Sequence, residues 1–466
     1  MKRRTSARLL AVLAAGSLFV AACSSDSDQT NDTTEATTGE TTADTTPGDT
    51  TVDNTPMADA WAVDTADCID EAAANAPIEG EIKIGSVMPL TGGAAAAAFA
   101  PVKDGFLAYM DYANENGLLG DLTVSASVED DQYNKDLTPD AVSKLIDGGV
   151  NLFSGIIGSA NNAAVRDTLN EECIPQLNAL TGSPEWGRPA DYPWTTGILV
   201  PYTVESKVYA KKIAELHPEG ATVALFYVNN EFGQVYVDAF KELASEYNLE
   251  IIDEQTIEAT DGAPPTSQLT SIAAAKPDVI MSVPLGAGCI GFLGELAAAK
   301  AQNAGWEPDT FITNTCASSL ILQLSGAAAD GVYTSNGTID VGNPANAEIP
   351  NVKEYLAYME SKGYGASATT GAAGWNTAEM TIAIIKQAMD SPEGLTRASI
   401  INAARNVEYT PMLAREGVLA RSMGESDPFL FESLQVLQIK FDAAAEGDAK
   451  ITFTDLGDLI TEFESK

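Results

Sequence analysis

The chain has 466 residues, of which 45% are hydrophobic and 20% charged, an ordinary globular balance for two or three domains. Its charge is extreme: Asp and Glu number 66 against 26 Lys and Arg, a formal net charge of −40. This charge repels phosphate backbones and so excludes nucleic acid as a partner. His217 is the single histidine, which argues against histidine-rich zinc sites and against a Ser–His–Asp catalytic centre.

The N-terminus has the features of an export signal. Lys2, Arg3, Arg4 and Arg8 precede an apolar run over residues 9–22, which is too short for a comfortable transmembrane helix. The run ends in Val-Ala-Ala-Cys, which resembles the lipobox of bacterial lipoproteins, so we expect residues 1–22 to be removed and Cys23 to carry lipid. The alternative is an ordinary secretory signal with a chance cysteine. Lipidation would anchor the chain at the outer face of the cytoplasmic membrane.

A low-complexity segment follows the cysteine. Residues 24–59 are rich in Thr, Asp and Ser and contain no Lys or Arg. So few apolar residues cannot offset the entropy lost on ordering. We therefore predict a disordered tether over residues 23–60, which would hold a folded region away from the membrane.

Four cysteines remain beyond this segment, namely Cys68, Cys173, Cys289 and Cys316. An even number in an exported protein favours two disulfides over buried free thiols, and four cysteines allow three pairings. No C-x-x-C pair is present, so the spacing does not indicate a metal site.

From residue 81 onwards, short apolar runs alternate with helical patterns. The predicted strands are 82–90, 122–128, 152–158, 222–228, 249–256, 279–283 and 310–313. The predicted helices are 100–116, 138–148, 162–172, 202–217, 233–247, 265–275 and 292–304. Such alternation predicts an α/β fold with parallel sheets covered on both faces, which bind ligands beyond the carboxyl ends of the strands.

An ordered series of segments resembles the branched-chain amino-acid-binding proteins that serve ATP-binding cassette (ABC) importers. The series is IKIGSVMPLTGG at 82–93, EDDQ at 129–132, FSGIIGSA at 153–160, IPQLNALTG at 174–182 and VALFYVNNEFG at 223–233. The resemblance extends from residue 81 to the C-terminus and is clearest in the first half.

The resemblance implies a type I periplasmic-binding-protein fold, in which three crossing segments join two α/β lobes around a ligand cleft. The crossings would lie near residues 196–202, 332–339 and 410–417. Lobe one would comprise 64–197 with 337–409, and lobe two 200–333 with 417–466. Pairing of Cys68 with Cys173 and of Cys289 with Cys316 would place each disulfide within one lobe.

The resemblance also suggests ligand-binding residues. Residues 158–162 close a strand and open a helix, where free N–H groups and the Ser159 hydroxyl can bind a carboxylate; a simple helix cap is the alternative. The family places a carbonyl and a hydroxyl at Ala179 and Thr181, which otherwise form an ordinary turn. The full set of expected ligand-binding residues is Ser159, Ala160, Ala179, Thr181, Tyr227, Phe232, Phe99 and Thr91, with core packing as the alternative for Tyr227.

One departure concerns the ligand. Some family members place a carboxylate after the strand that corresponds to 310–313, where it pairs the ligand ammonium, but residues 314–319 contain no acid. An ammonium in a dry cleft needs a partner. Either another acid supplies it, with Glu231 as one candidate, or the ligand is not a standard amino acid, which leaves urea, amides, short carboxylates and aromatic acids open.

Two motifs invite other interpretations. Residues 286–291 match G-x-G-x-x-G, but the next strand lacks the acid that a dinucleotide-binding fold requires. Asp130 and Asp131 could form a carboxylate or metal pair, although a solvated turn at a strand end is the simpler expectation. We expect no metal, no cofactor and no catalytic residues.

The sequence thus predicts the solute-binding component of an ABC importer. It would bind a branched-chain-like amino acid, an amide or a small acid by closure of the cleft, and dock on a membrane permease. The alternatives are a ligand-binding sensor on the same fold and an exported hydrolase. The second is disfavoured because histidine and nucleophile motifs are scarce.

Overall fold

The computed structural model describes residues 60–259, 263–446, 450–461, 463 and 465. The predicted signal peptide, Cys23 and all of the predicted tether except residue 60 lie outside the described residues. Within these ranges, no helix is long and apolar enough to cross a membrane.

Fourteen strands form the sheets of the described region. They are β1 (Glu81–Met88), β2 (Thr123–Asp130), β3 (Leu152–Ser154), β4 (Gln176–Ala179), β5 (Thr195–Gly197), β6 (Ala221–Val228), β7 (Leu249–Ile257), β8 (Val279–Val283), β9 (Asp309–Ile312), β10 (Tyr333–Asn336), β11 (Glu408–Tyr409), β12 (Ala420–Arg421), β13 (Gln435–Phe441) and β14 (Ile451–Asp455).

Twelve α-helices cover these sheets in the described region. They are α1 (Glu71–Ala74), α2 (Gly93–Glu115), α3 (Thr138–Asp147), α4 (Ser159–Glu171), α5 (Tyr202–Leu216), α6 (Glu231–Ala244), α7 (Thr266–Ala275), α8 (Ala287–Gln302), α9 (Ser319–Ser325), α10 (Pro350–Ser361), α11 (Ala368–Met389) and α12 (Arg397–Ala404).

Two separate sheets form the framework. The first has the strand order β2-β1-β3-β4-β5 and is entirely parallel. The second has the order β14-β13-β10-β9-β8-β6-β7. Near one edge, β13 pairs antiparallel with both β10 and β14, and all other neighbouring strands pair parallel. The predicted α/β class with two parallel-sheet regions is confirmed.

The composition of the strands explains their positions. Every residue of β8 is buried, and so is every residue of β6 except Thr222. Strands covered on both faces need such continuous apolar runs. By contrast, β2 lies at an edge of the first sheet, and few of its residues are fully buried.

Helices α2 and α11 pack at very close range beside the first sheet. A Cβ added at Gly105 of α2 would lie 1.8 Å from the carbonyl oxygen of Gly371 in α11. A Cβ added at Gly374 would lie 1.9 Å from the carbonyl oxygen of Val102. Glycine at these positions therefore allows the two backbones to touch, and residues of both helices belong to the core of the first sheet.

Three segments carry the chain between the two sheets. The first follows β5 and leads into α5, and the second follows β10 and leads to α10 and α11. The third connects β12 to β13, so the last strands return to the second sheet. The predicted lobe boundaries follow the same passages but stay a prediction.

Two disulfides link the four cysteines of the described region. Cys68 pairs with Cys173 at a Cα–Cα distance of 5.5 Å, and Cys289 with Cys316 at 5.8 Å. The pairing implied by the resemblance is therefore confirmed. Each bridge lies in the core beside one sheet. Cys173 belongs to the core of the first sheet, and Cys289 and Cys316 belong to the core of the second.

Candidate functional site

A cavity of about 290 Å³ opens between the two sheets. Its walls include residues within four positions of strand ends: Gly158 after β3, Leu180 after β4, Phe232 after β6 and Leu285 after β8. The three segments between the sheets also contribute, through residues within 198–202 and 336–341 and through Phe431 and Ser433. The loop between β11 and β12 adds Pro411, Ala414 and Val418. This is where parallel sheets are expected to bind ligands.

The cavity wall is largely apolar. Its apolar side chains include Phe99, Val102, Ile157, Leu180, Phe232, Leu285, Ile321, Val341, Met380 and Phe431. Its polar side chains include Tyr133, Tyr202, Asn314, Thr315, Ser318, Asn336, Thr338, Thr369, Asn376 and Ser433. Among the described residues that line it, none is Lys, Arg or His, and Asp340 supplies the one carboxylate.

Two of the expected ligand-binding residues lie directly in this wall, namely Phe99 and Phe232. Phe99 stacks near Tyr133, with ring centroids 6.1 Å apart. Phe232 meets the edge of Tyr202 at 5.2 Å. The two phenylalanines thus bring aromatic surface into the cavity from two different helices, Phe99 from α2 and Phe232 from α6.

Ser159 and Thr181 lie close together but one layer behind the wall. Their hydroxyl oxygens are 2.6 Å apart, and both residues are buried. Tyr202 lines the cavity, and the Thr181 and Ser159 side chains lie near its hydroxyl, where they oppose the effect of burial on its pKa. Burial raises the pKa of Tyr202, so the phenol stays protonated and able to donate. Tyr202 is thus part of the cavity wall, whereas the Ser159–Thr181 pair is not.

Ala160 and Ala179 do not line the cavity either. The Ala179 carbonyl accepts hydrogen bonds from the backbone N–H groups of Thr181 at 2.8 Å and Ile198 at 3.2 Å. Ala160 lies in the first turn of α4. The N-cap residue of this helix is Gly158, so no side chain caps its first N–H groups. A binding role for either residue stays a prediction.

Thr91 and Tyr227 lie away from the cavity wall. The exposed Thr91 donates its hydroxyl proton to Asp130, which also accepts from the N–H of Leu90 at 2.8 Å. Tyr227 belongs to β6, and burial together with the nearby Glu254 raises its pKa. Thr91 therefore ties the loop after β1 to the end of β2.

Asp131 differs from the expected solvated turn, because it is completely buried. It accepts hydrogen bonds from the Thr138 hydroxyl and from the Asn161 side-chain amide, both at 2.8 Å. Burial raises its pKa despite these donors. Asp131 thus fixes the start of α4, and no group of three His, Cys, Asp or Glu in the described ranges is placed to hold a metal ion.

Glu231, proposed from sequence to replace the missing acid, lies outside the wall. Its carboxylate accepts a hydrogen bond from the Ser183 hydroxyl at 3.2 Å, and burial and the neighbouring Glu185 raise its pKa. The cavity carboxylate is Asp340, whose Oδ1 accepts from the Gly342 N–H at 3.1 Å. Asp340 is not among the ligand-binding residues expected from the sequence, although it lies one residue beyond the predicted second crossing.

The G-x-G-x-x-G segment also lies beside the cavity. Leu285, just before it, lines the wall, and Gly286 has a φ of +55° at the start of α8. Cys289 within the segment is used by the second disulfide. The glycine at 286 is thus required by the backbone turn between β8 and α8.

Comparison with known proteins agrees with this architecture. The sequence model of the family described as "Periplasmic binding protein" matches residues 81–444. No curated protein sequence is significantly similar to the chain.

Several solved structures share the fold at low sequence identity. A branched-chain amino acid ABC transporter protein from Thermus thermophilus with bound valine is 19% identical, with a TM-score of 0.70, covering 82% of this chain and 97% of that one. A fatty acid ABC transporter substrate-binding protein from Thermomonospora curvata is 17% identical, with a TM-score of 0.67 and coverages of 83% and 93%. A solute-binding protein from R. palustris in complex with 4-hydroxybenzoate is 18% identical, with a TM-score of 0.66 and coverages of 82% and 97%. Two largely parallel sheets, a cavity between them and a family match over most of the chain lead to one conclusion: the chain belongs to the periplasmic binding protein family.

Proposed function

We propose that this protein is the extracytoplasmic solute-binding component of an ABC importer. The observation that carries the proposal is the cavity of about 290 Å³ whose walls come from both sheets and from the segments between them. Its size approaches the lower end of the range for small-molecule sites, and its apolar wall with a few polar groups is typical of them. The protein would bind its solute without chemical change.

Binding would proceed by closure of two lobes. We propose that residues 64–197 and 337–409 form lobe one, and that residues 200–333 and 417–466 form lobe two. A solute that touches both lobes binds the closed state better than the open state and so shifts the equilibrium towards closure. The closed form would then dock on a membrane permease.

Phe99 and Phe232 are the first candidates for direct ligand contact. They belong to helices beside different sheets, and both face the cavity. Ser159 and Thr181 would act through Tyr202, near whose hydroxyl they lie. We assign Ala160, Ala179, Tyr227 and Thr91, which do not line the cavity, a supporting role in the strands, helix and loop around it.

We further propose that Cys23 carries a lipid anchor after removal of residues 1–22. The apolar run that ends in Val-Ala-Ala-Cys supports this assignment. The Thr- and Asp-rich residues 24–59 would then span the distance from the membrane surface to the folded region. Globomycin, which blocks lipoprotein signal cleavage, should cause an uncleaved precursor to accumulate, and Cys23→Ala should abolish labelling by a lipid precursor.

Thermal unfolding of the full chain with a panel of solutes tests the central function. The panel would contain branched-chain and aromatic amino acids, amines, amides, hydroxybenzoate, fatty acids and urea. A ligand that binds only the folded state raises the midpoint temperature in a concentration-dependent way. The proposal expects such a shift with the solute recovered unchanged. Conversion of the solute would indicate an enzyme instead, and no shift with any member would contradict the proposal.

A further inference from the structure

Resting on the solute-binding function proposed above, we propose that the cavity selects an apolar molecule that carries an ammonium group or another hydrogen-bond donor and has no free carboxylate. The inference names the solute class more narrowly than the family does. It follows from the charge of the wall, from the position of the Tyr202 hydroxyl and from the acceptors that face the cavity.

The charge of the wall disfavours anions. Asp340 is the one charged side chain among the described lining residues, and it is negative. A carboxylate moved from water into this apolar space would have no cationic partner, and burial of an unpaired charge is costly. The formal net charge of −40 adds a long-range repulsion of the same sign.

The hydroxyls of Ser159 and Thr181 could have bound a carboxylate, but they already form hydrogen bonds within this chain. Ser159 and Thr181 bond to each other at 2.6 Å, and Thr181 Oγ1 also accepts from the Ser183 N–H at 3.2 Å. Tyr202 packs beside this group, because a Cβ added at Gly182 would lie 2.6 Å from the Tyr202 ring. Tyr202 lines the cavity and this pair does not, so a ligand carboxylate would have to pass the Tyr202 side chain before it could reach either hydroxyl.

The ring of Tyr202 is firmly held in that place. It stacks on Tyr236 at 4.5 Å and meets Phe232 at 5.2 Å. Its backbone N–H donates to the Gly182 carbonyl at 2.7 Å. Displacement of this side chain would therefore disturb an aromatic cluster, which makes Tyr202 a fixed part of the wall.

The cavity instead presents hydrogen-bond acceptors. The Asp340 carboxylate lies in the second segment between the sheets, where its Oδ1 is oriented by the Gly342 N–H. The buried Asn376 Oδ1, on α11, has no hydrogen-bond partner within the described part of the chain. A donor-bearing solute would satisfy Asn376 and pair its charge with Asp340, and each gain would be largest in a dry cavity.

Two sets of matched probes separate the contribution of each ligand group. The first set is leucine, 3-methylbutylamine, which lacks its carboxylate, and 4-methylpentanoate, which lacks its ammonium. The second set is phenylalanine, 2-phenylethylamine and 3-phenylpropanoate. Thermal unfolding of the full chain is recorded with each probe at equal concentration and constant ionic strength. The inference expects at least one amine to raise the midpoint temperature more than the corresponding amino acid, and expects no rise with either acid.

Two single-charge variants test the role of Asp340. Asp340→Asn keeps an oxygen that can accept from the Gly342 N–H but removes the charge, so we expect the dissociation constant of the best amine to rise by about tenfold to a hundredfold. Asp147→Asn removes the same charge from an exposed position at the end of α3 and should leave that constant unchanged.

The outcomes distinguish this inference from the function on which it rests. A rise with the amino acids or the acids, and none with the amines, overturns the inference and leaves the solute-binding function standing. Equal loss of amine binding in both variants would also overturn it, because the effect would then come from net charge. No shift with the matched probes or with the wider panel would contradict both.

Discussion

The buried carboxylate of Glu205 accepts a hydrogen bond from the backbone N–H of Asn314 at 2.7 Å, which joins helix α5 to the loop that lines the cavity. The same carboxylate accepts from the hydroxyls of Tyr209 at 2.7 Å and Tyr236 at 2.5 Å. Burial raises the pKa of Glu205 in spite of these three donors. Glu205 thus fixes the loop after β9 and, through Tyr236, supports the ring of Tyr202.

Replacement of Glu205 should therefore destabilise the protein. Glu205→Leu would remove the acceptor of the Asn314 N–H and of the Tyr236 hydroxyl, whereas the Tyr209 hydroxyl could still donate to the Ile312 carbonyl at 3.0 Å. We expect a loss of about 3 kcal/mol or more in the free energy of unfolding. Glu205→Gln keeps one acceptor oxygen and should cost less. Glu215→Gln, at an exposed position of the same helix, should change the free energy by about 0.5 kcal/mol or less. Urea titration followed by circular dichroism measures all three, and equal effects of Glu205→Leu and Glu215→Gln would contradict the account.

The close contact between α2 and α11 leads to a second prediction. Gly105→Ala places a methyl group 1.8 Å from the Gly371 carbonyl oxygen, so the helices must separate, and we expect a cost of about 3 kcal/mol or more. Gly294→Ala is a matched control, because it lies within α8 with open space around it. Since alanine is the better helix former, that change should stabilise the protein by up to about 1 kcal/mol. Chemical unfolding would disprove this packing if Gly105→Ala proved neutral.

The two disulfides should differ in their contribution to stability. They span 105 and 27 residues, and the unfolded chain is more restricted by the longer loop. We expect Cys68→Ser with Cys173→Ser to cost about 4–5 kcal/mol and Cys289→Ser with Cys316→Ser about 3–4 kcal/mol. Urea midpoints of the two double variants test this order, and a reversed order would argue against the loop-length explanation.

A buried carboxyl on α11 should make stability depend on pH. Burial raises the pKa of Glu379 to about 7, against the opposing hydrogen bonds that it accepts from the Tyr409 hydroxyl and the Met412 N–H. Because its ordinary value is 4.5, the folded state holds a proton that the unfolded state releases between these values. Stability should therefore fall as pH rises from about 4.5 to about 7, by about 3 kcal/mol in total.

Glu379→Gln isolates this effect, because it removes the titration but leaves an amide oxygen for Tyr409 and Met412. The wild-type protein should lose stability relative to the variant as pH rises through that window. Free energies of unfolding at pH 4.5, 6 and 8 provide the comparison. Parallel pH profiles of the two proteins would show that Glu379 does not titrate as described.

The regular part of the fold follows from local sequence patterns, whereas the site depends on long-range contacts. The apolar runs of β6 and β8 predict buried strands, and the observed bounds lie within a residue of the predicted ones. Helix α2 begins at Gly93 rather than at the predicted residue 100, because the alanine run before Phe99 continues the helix. Fold and family were thus accessible from the sequence.

The details of the site were not accessible in this way. The sequence places Tyr202 at the start of a helix, but nothing near it shows that its hydroxyl reaches Ser159 and Thr181. Asp131 reads as part of a polar turn, and only the contact with Asn161, 30 residues further along, explains its burial. Such pairings arise where segments distant in sequence meet, which periodicity does not encode.

The central claim is that the cavity between the two sheets binds the solute. Isothermal titration of the full chain tests it most directly, with the solute that gives the largest thermal shift and with a variant that fills the cavity. Ala373 lines the cavity and has an exposed side chain, so Ala373→Trp can fill the space without entering the core, while Ala373→Ser serves as the matched small substitution. The account predicts one solute bound per chain for the wild-type protein and for Ala373→Ser, and no binding for Ala373→Trp. Unchanged binding by Ala373→Trp would contradict the assignment of this cavity as the solute site.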